Sequence, residues 1–181
     1  MVVGYLLNRP SGPQGEPGPA YNYLLCGNGL FVRAEGPHLK ATVPVALCQV
    51  RGLAPQSPCV ELVHGRVPRR LWDLALSLLL IDPRRELYVA VVWDGLGYSL
   101  RVPDQAVGGA AVRYETVKDT VVELHSHGPM RAFFSGIDDE DERGFKVYGV
   151  VGRLPETPEV NLRVGIYGYF HPLRWEDVFG G

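Results

Sequence analysis

Hydrophobic residues are concentrated in short runs in the second half of the chain, where their spacing predicts one helix and four strands. An apolar cluster that follows Pro68 and is closed by Asp82-Pro83 is typical of a buried helix. Runs rich in β-branched and aromatic residues predict strands, the last two as a hairpin. The predicted elements are the helix Leu71–Ile81, the strands Glu86–Trp93, Thr120–His127, Phe145–Val151 and Val160–Phe170, and a helical turn at Trp175–Phe179.

The first sixty-six residues have shorter apolar runs, separated by glycine and proline. Gly27-Asn28-Gly29 between two such runs predicts a turn between two strands. Residues 9–19 contain four prolines and three glycines, which predicts an irregular loop. The predicted strands are Tyr21–Cys26, Leu30–Ala34, a region from Leu39 to Val50 kinked or ended near Pro44, and Cys59–Val63.

Together these patterns predict an α+β fold with a mixed, curved β-sheet flanked by helices. We divide the chain into a β-rich N-terminal extension, residues 1–66, and a second domain, residues 67–181. A length of 181 residues suits one domain with such an appended unit.

Composition excludes some partners. The net charge is −2, which gives no electrostatic reason to expect binding to nucleic acid or to an anionic membrane. Cys26, Cys48 and Cys59 are odd in number and form no C-x-x-C pair, so we expect reduced thiols. The N-terminal residues lack the basic segment and long apolar run of a secretory signal. We therefore expect a cytoplasmic protein without a membrane partner.

Chemistry-bearing residues are clustered between residues 125 and 138. His125 and His127 lie two apart on a predicted strand, so both imidazoles project from the same face. A carboxylate at the start of the next element, Asp138, can supply a third ligand. Two histidines and one aspartate leave one position of a tetrahedral zinc ion open, which is the catalytic pattern. The segment therefore predicts a zinc site.

Other interpretations of single residues compete with this one. Ser135 and Asp138 have the spacing of a helix N-cap and its third helical residue, so by themselves they predict a capping pair. The acidic run 138–142 is typical of a first helical turn. We expect Phe133-Phe134 to anchor the loop in the core. The remaining histidines stand alone in the sequence, and we expect structural or surface roles for His38, His64 and His171.

The spacing H-x-H, seven residues, S-x-x-D resembles the JAMM motif of the MPN-domain metalloproteases, zinc isopeptidases that cleave ubiquitin and ubiquitin-like tails. The resemblance runs from the predicted helix to about Phe170 and is nearest to the prokaryotic, bacterial JAB-type branch. It implies an MPN-like fold, zinc bound by His125, His127 and Asp138, and oxyanion stabilisation by Ser135. Many members place proline directly after the second histidine, whereas here Gly128 precedes Pro129.

The resemblance also implies a glutamate general base on an earlier strand. Glu86 begins the strand that comes after the predicted helix and lies 39 residues before His125. Two rivals stay open: Glu123 shares a face of the ligand strand with the histidines, and Glu61 opens an earlier β segment. Glu86 is our first choice.

Three functions follow from these expectations. The first is a deubiquitinase-like hydrolase that processes a ubiquitin-like precursor or cuts its conjugate, in a pathway with ubiquitin-like activating and conjugating enzymes. The second is a non-catalytic MPN scaffold that binds partner proteins. The third is a zinc peptidase that acts on small peptides.

Overall fold

Two six-stranded mixed sheets dominate the structure, a computed structural model that describes residues 2–103, 105–108, 111–114 and 117–181. The first sheet has the strand order β2-β1-β3-β4-β5-β6. In it β1 runs parallel to β3, and the other neighbours are antiparallel. Its strands are β1 (Val3–Arg9), β2 (Gly12–Glu16), β3 (Tyr21–Cys26), β4 (Gly29–Glu35), β5 (Leu39–Leu47) and β6 (Cys59–Leu62).

The second half of the chain begins with a short strand and the longest described helix, and it contains the second sheet. Its elements are β7 (Val67–Pro68), α1 (Arg69–Leu79), β8 (Tyr88–Trp93), β9 (Tyr98–Arg101), β10 (Gln105–Gly108), β11 (Ala111–Tyr114), β12 (Thr120–Ser126), α2 (Gly136–Asp141), β13 (Phe145–Gly152), β14 (Glu159–Ile166), β15 (Tyr169–Leu173), α3 (Trp175–Val178) and β16 (Phe179–Gly180). The second sheet has the order β15-β14-β13-β12-β8-β9, with β12 parallel to β13. The fold is therefore α+β, built mostly of strands in mixed sheets with few helices.

One hydrophobic core joins the two sheets. Alternate residues of β12, such as Val122 and Leu124, are fully buried in it, because side chains in a strand alternate between the two faces. Val32 and Val43 reach the same core from the first sheet. The buried side of α1 closes it with Leu71, Ala75 and Leu79.

The structure differs from the sequence predictions in several places. Residues 9–19 are not one irregular loop, because β2 forms an antiparallel hairpin with β1, and the sequence predicted neither strand. The helix predicted at Leu71–Ile81 spans Arg69–Leu79. The strand predicted to begin at Glu86 begins at Tyr88. The run Val160–Phe170 is two strands, β14 and β15, separated by a turn at Tyr167-Gly168 where both residues have positive φ.

Among the described residues, no helix is both long enough and apolar enough to cross a membrane.

Candidate metal centre

The candidate site lies on the face of the second sheet that points away from the core. Glu123 and His125 of β12 stand opposite Tyr148 and Val150 of β13. These in turn stand opposite Arg163 and Asn161 of β14. Directly opposed residues share a face, so polar side chains of three neighbouring strands project to one side. The loop after β12 and helix α2 cover this face, because Asn161 Nδ2 donates to the Ala132 carbonyl and Arg163 contacts α2.

His125, His127 and Asp138 converge on this face. His125 lies on β12, His127 directly follows the strand, and Asp138 is the third residue of α2. Their ligand atoms all lie within 4.8 Å of one another, and no other such group of histidine, cysteine and acidic residues occurs in the described parts of the chain. The three residues predicted as metal ligands are therefore brought together.

The separations between these atoms fit one metal ion. Bonds of about 2.0–2.1 Å in a tetrahedral site place two ligand atoms roughly 3.3 Å apart. The Nε2 atoms of His125 and His127 are 3.2 Å apart, and His125 Nε2 is 3.2 Å from Asp138 Oδ1. The third separation, from His127 Nε2 to Asp138 Oδ2, is longer at 3.9 Å. Two imidazoles and a carboxylate are a donor set that zinc accepts, so the residues fit the ion.

Electrostatics favour the forms of these side chains that bind metal. Burial lowers the pKa of His127, and His125 lowers it further, whereas Asp138 and Glu86 act in the opposite direction. Burial alone would raise the pKa of the Asp138 carboxyl. Hydrogen bonding and charge from His125, with hydrogen bonds to Ser135, hold that pKa well below its usual range. His127 is therefore neutral and Asp138 ionised near pH 7.

Ser135 and Asp138 also form the capping pair that their spacing predicts. The Ser135 N–H donates to Asp138 Oδ2 at 2.5 Å, and the Asp138 N–H donates to Ser135 Oγ at 3.2 Å. The two interpretations are compatible, because Asp138 Oδ1 still faces His125. A hydroxyl that accepts a bond keeps its own hydrogen for another acceptor, so the Ser135 side chain can still donate.

The backbone conformation at Gly128 excludes proline directly after the second histidine. Its φ is +57°, a left-handed conformation that proline cannot adopt because its ring fixes φ near −65°. A Cβ at this position would also lie 2.8 Å from the Pro83 carbonyl oxygen. Glycine is therefore required where the chain turns out of the ligand strand.

Glu86 lies in the connection between α1 and β8, and its backbone is tied to the ligand strand. Ser126, fully buried between the two histidines in sequence, accepts from the Leu87 N–H at 3.0 Å and donates to the Arg85 carbonyl at 3.3 Å. These bonds hold the residues on both sides of Glu86. The Glu86 carboxylate acts to raise the pKa of His127, so the two side chains interact electrostatically.

The rival glutamates have other partners. Glu123 is buried and forms an ion pair with Lys146 at 2.5 Å. Glu61 is an exposed residue of β6, in the first sheet, and lies 3.9 Å from Lys40. Neither observation favours a role at the histidines, and Glu86 stays our first choice for the general base.

Several contributors to the site were not predicted from the sequence. Ser126, Asn161 and Arg163 act through partners that are distant along the chain, so no local spacing marks them. The sequence of β14 contained a signal for two of them: polar Asn161 and Arg163 alternate with apolar, buried Leu162 and Val164, which indicates that both polar side chains project from the same face. The expectation for Phe133-Phe134 is wrong for Phe133, which is 46% exposed and packs edge-on against the His127 ring.

No known protein-family model matches the chain, and no curated protein is significantly similar to it.

Proposed function

We propose that this chain is a zinc-dependent isopeptidase or peptidase of the JAMM type that cleaves at the C-terminal tail of ubiquitin-like proteins. The observation that carries the proposal is the convergence of His125, His127 and Asp138 within 4.8 Å on one face of a sheet. A complete ligand set argues for catalysis, because a scaffold that only binds partners has no need of it.

Each side chain has a defined role in this proposal. Zinc supplies Lewis acidity: it polarises a scissile carbonyl and lowers the pKa of water to about 7. Glu86 accepts a proton from the attacking water and later delivers it to the leaving amine. The Ser135 hydroxyl donates to the scissile carbonyl oxygen as negative charge develops there, a contribution that is typically about 100- to 1,000-fold in rate.

The order of elements supports an MPN-like interpretation of the second half. A helix, α1, precedes a buried strand, β8, which pairs with the ligand strand β12, and the third ligand opens the short helix α2. This is the order that the resemblance implies for a mixed, curved sheet flanked by helices. The sheet of residues 3–62 would be the N-terminal extension.

The resemblance alone supports the choice of substrate, and it places the enzyme beside ubiquitin-like activating and conjugating enzymes. Cleavage would process a precursor or release a conjugate. Cys26, Cys48 and Cys59 are all free, which suits the reducing cytoplasm that we propose as its location.

Cleavage assays on matched substrates test the proposal. The substrates are a ubiquitin-like protein with a C-terminal peptide extension and the same peptide junction without the folded domain. Zinc-loaded wild type should cut the first far faster than the second. Glu86→Gln should reduce the rate by at least about 100-fold while zinc stays bound, and Glu61→Gln should leave it unchanged. Equal cleavage of both substrates would favour the small-peptide function. Full activity of Glu86→Gln or of metal-free protein would exclude the mechanism.

A further inference from the structure

Helix α2 carries the candidate ligand Asp138 but has little of its own to hold it in place. It spans six residues, Gly136–Asp141, and none of them is buried. Helices this short are unstable in water without tertiary contacts. Ile137, its only large apolar side chain, is 56% exposed. The position of Asp138 therefore depends on contacts from outside the helix.

Arg163 supplies such contacts from the middle of β14. Arg163 is buried, with only 7% of the residue exposed. Its Nε and Nη2 atoms donate to Glu142 Oε2 at 2.9 and 2.6 Å. Its Nη1 atom donates to Asp139 Oδ1 at 2.6 Å. Glu142 ends the helix and is itself buried, and Asp139 follows the candidate ligand directly. One guanidinium therefore holds both ends of the helical turn that directly follows Asp138.

The same guanidinium also holds the segment before the helix. Its Cζ atom lies 3.7 Å from the ring centroid of Phe134 and 3.7 Å from that of Phe170. Arginine between two aromatic faces is favourable when desolvated, and its planar shape suits both stacking and forked hydrogen bonds. Phe134 immediately precedes Ser135, so the contacts of Arg163 flank the S-x-x-D segment on both sides.

We propose that Arg163 is a positioning residue that fixes α2 on the sheet and so sets the carboxylate of Asp138 and the hydroxyl of Ser135 opposite His125 and His127. The inference rests on the proposed function, because it assumes that Asp138 binds metal. Arg163 itself touches neither metal nor substrate. Its effect on the site is transmitted by Phe134, Asp139 and Glu142.

Zinc and cobalt titrations of folded variants test this role without any substrate. Burial raises the pKa of Glu142 to about 7, although Arg163 lowers it, so the titrations are made near pH 8, where the carboxylate is ionised. Arg163→Gln should weaken zinc binding by about 10- to 100-fold, the usual cost of losing a residue that orients a metal ligand. Arg163→Lys should weaken zinc binding less than Arg163→Gln does, because lysine keeps the positive charge but lacks the forked hydrogen-bond donors of the guanidinium.

A matched control is available in Arg33. Its Nε and Nη2 atoms also donate to a single carboxylate oxygen, Oε1 of Glu35, but this pair is exposed on the first sheet. Arg33→Gln should bind zinc like wild type. The visible spectrum of cobalt-loaded protein adds a readout that a general loss of stability does not change. At saturating cobalt, Arg163→Gln should show an altered spectrum and Arg33→Gln the wild-type one.

The outcomes separate this inference from the function on which it rests. If wild type binds no zinc, both fail. If wild type binds zinc and folded Arg163→Gln binds within about twofold of it with an unchanged cobalt spectrum, the inference alone is overturned. If Arg163→Gln does not fold, Arg163→Lys decides, since lysine keeps the positive charge but cannot make the paired hydrogen bonds to Glu142. An affinity between those of wild type and Asp138→Ala supports the inference, and wild-type affinity overturns it.

Discussion

Among the individual residues of the site, His127 most clearly links burial to metal binding. It is 7% exposed, and burial lowers its pKa from the ordinary value. A lowered pKa means that the folded chain takes up this proton less readily than the unfolded chain. The stability that this difference contributes is present above about pH 6.5 and is lost as the pH falls through the lowered pKa.

Zinc affinity should therefore weaken as the pH falls. Zinc binds the neutral imidazole, so protons compete with it only when the pH falls below the ordinary histidine pKa of about 6.5. Asp138 stays ionised over this range, because its pKa is well below normal. We expect a nearly constant dissociation constant between pH 8 and 7 and progressive weakening from pH 6.5 to 5. Competition titrations with a chromophoric chelator measure it, and binding that tightens on acidification would contradict the account.

The candidate metal ligands were the residues most open to prediction from the sequence. Their spacing is local: a two-residue repeat on a strand and a capping pair on the next helix, each with its own geometric rule. The position of Glu86 was harder to predict from the sequence, because this residue lies in a connection that is held by Ser126 of another strand. Arg163 was not predicted, since its partners are 21 and 24 residues away along the chain.

At the level of secondary-structure elements, Ser126 links two segments that must meet in the proposed mechanism. Its hydroxyl bonds the backbone on both sides of Glu86, and the Ser126 N–H donates to the Leu87 carbonyl at 2.9 Å. The ligand strand and the connection that bears the candidate base are thus joined by three hydrogen bonds at one residue. Ser126 therefore positions the candidate base, Glu86, and is not itself one of the candidate metal ligands.

Ser126→Ala should affect catalysis far more than zinc binding. Loss of both hydroxyl bonds leaves a buried N–H unpaired and should destabilise the fold by about 1–2 kcal/mol. A displaced Glu86 should lower kcat on the order of 10- to 100-fold. Zinc affinity should stay within about twofold of wild type.

The control for this variant is Ser77→Ala, which removes an exposed hydroxyl bond to the Asp73 carbonyl within α1. It should change neither kcat nor zinc affinity. Parallel losses of zinc affinity and kcat in Ser126→Ala would show that the residue supports the histidines rather than Glu86.

The elements themselves were predicted unevenly, and the reasons are physical. The buried strands β8, β12 and β13 are rich in β-branched and aromatic residues, and β8 is a continuous apolar run, which is a strong signal. Strand β2 has almost no apolar residues, because it is an exposed edge strand held by backbone pairing to β1 alone. Its prolines and glycines predict a loop, and only the partner strand makes it a β-strand.

At the scale of the whole molecule, a cluster of side chains joins the first sheet region to the second sheet. His38 Nδ1 and His64 Nε2 lie 3.1 Å apart, and His38 Nε2 lies 3.5 Å from Asp119 Oδ1. The His64 ring stacks on Trp93 of β8, with ring centroids 3.9 Å apart and planes 4° from parallel. His38 and His64, which stand alone in the sequence, therefore contact each other in the structure, in agreement with the structural role expected of them.

His64→Ala should measurably weaken the contact between the two regions. It removes the stacked ring and the hydrogen bond to His38, which together should lower the free energy of unfolding by about 1–2 kcal/mol. His171→Ala, at a partly exposed position on β15, should change it by no more than about 0.5 kcal/mol. Denaturant unfolding of the metal-free proteins gives both values. An unchanged free energy of unfolding in His64→Ala would mean that the cluster does not join the two regions energetically.

The central claim is that His125, His127 and Asp138 form a metal site, and metal analysis of the purified protein tests it most directly. Asp141→Ala is the matched control for Asp138→Ala, because Asp141 is an exposed acidic residue of the same helix. After equilibration with zinc and removal of excess, wild type and Asp141→Ala should each retain about one zinc ion per chain, and Asp138→Ala should retain almost none. Wild type without zinc, or Asp138→Ala with as much zinc as wild type, would contradict the account.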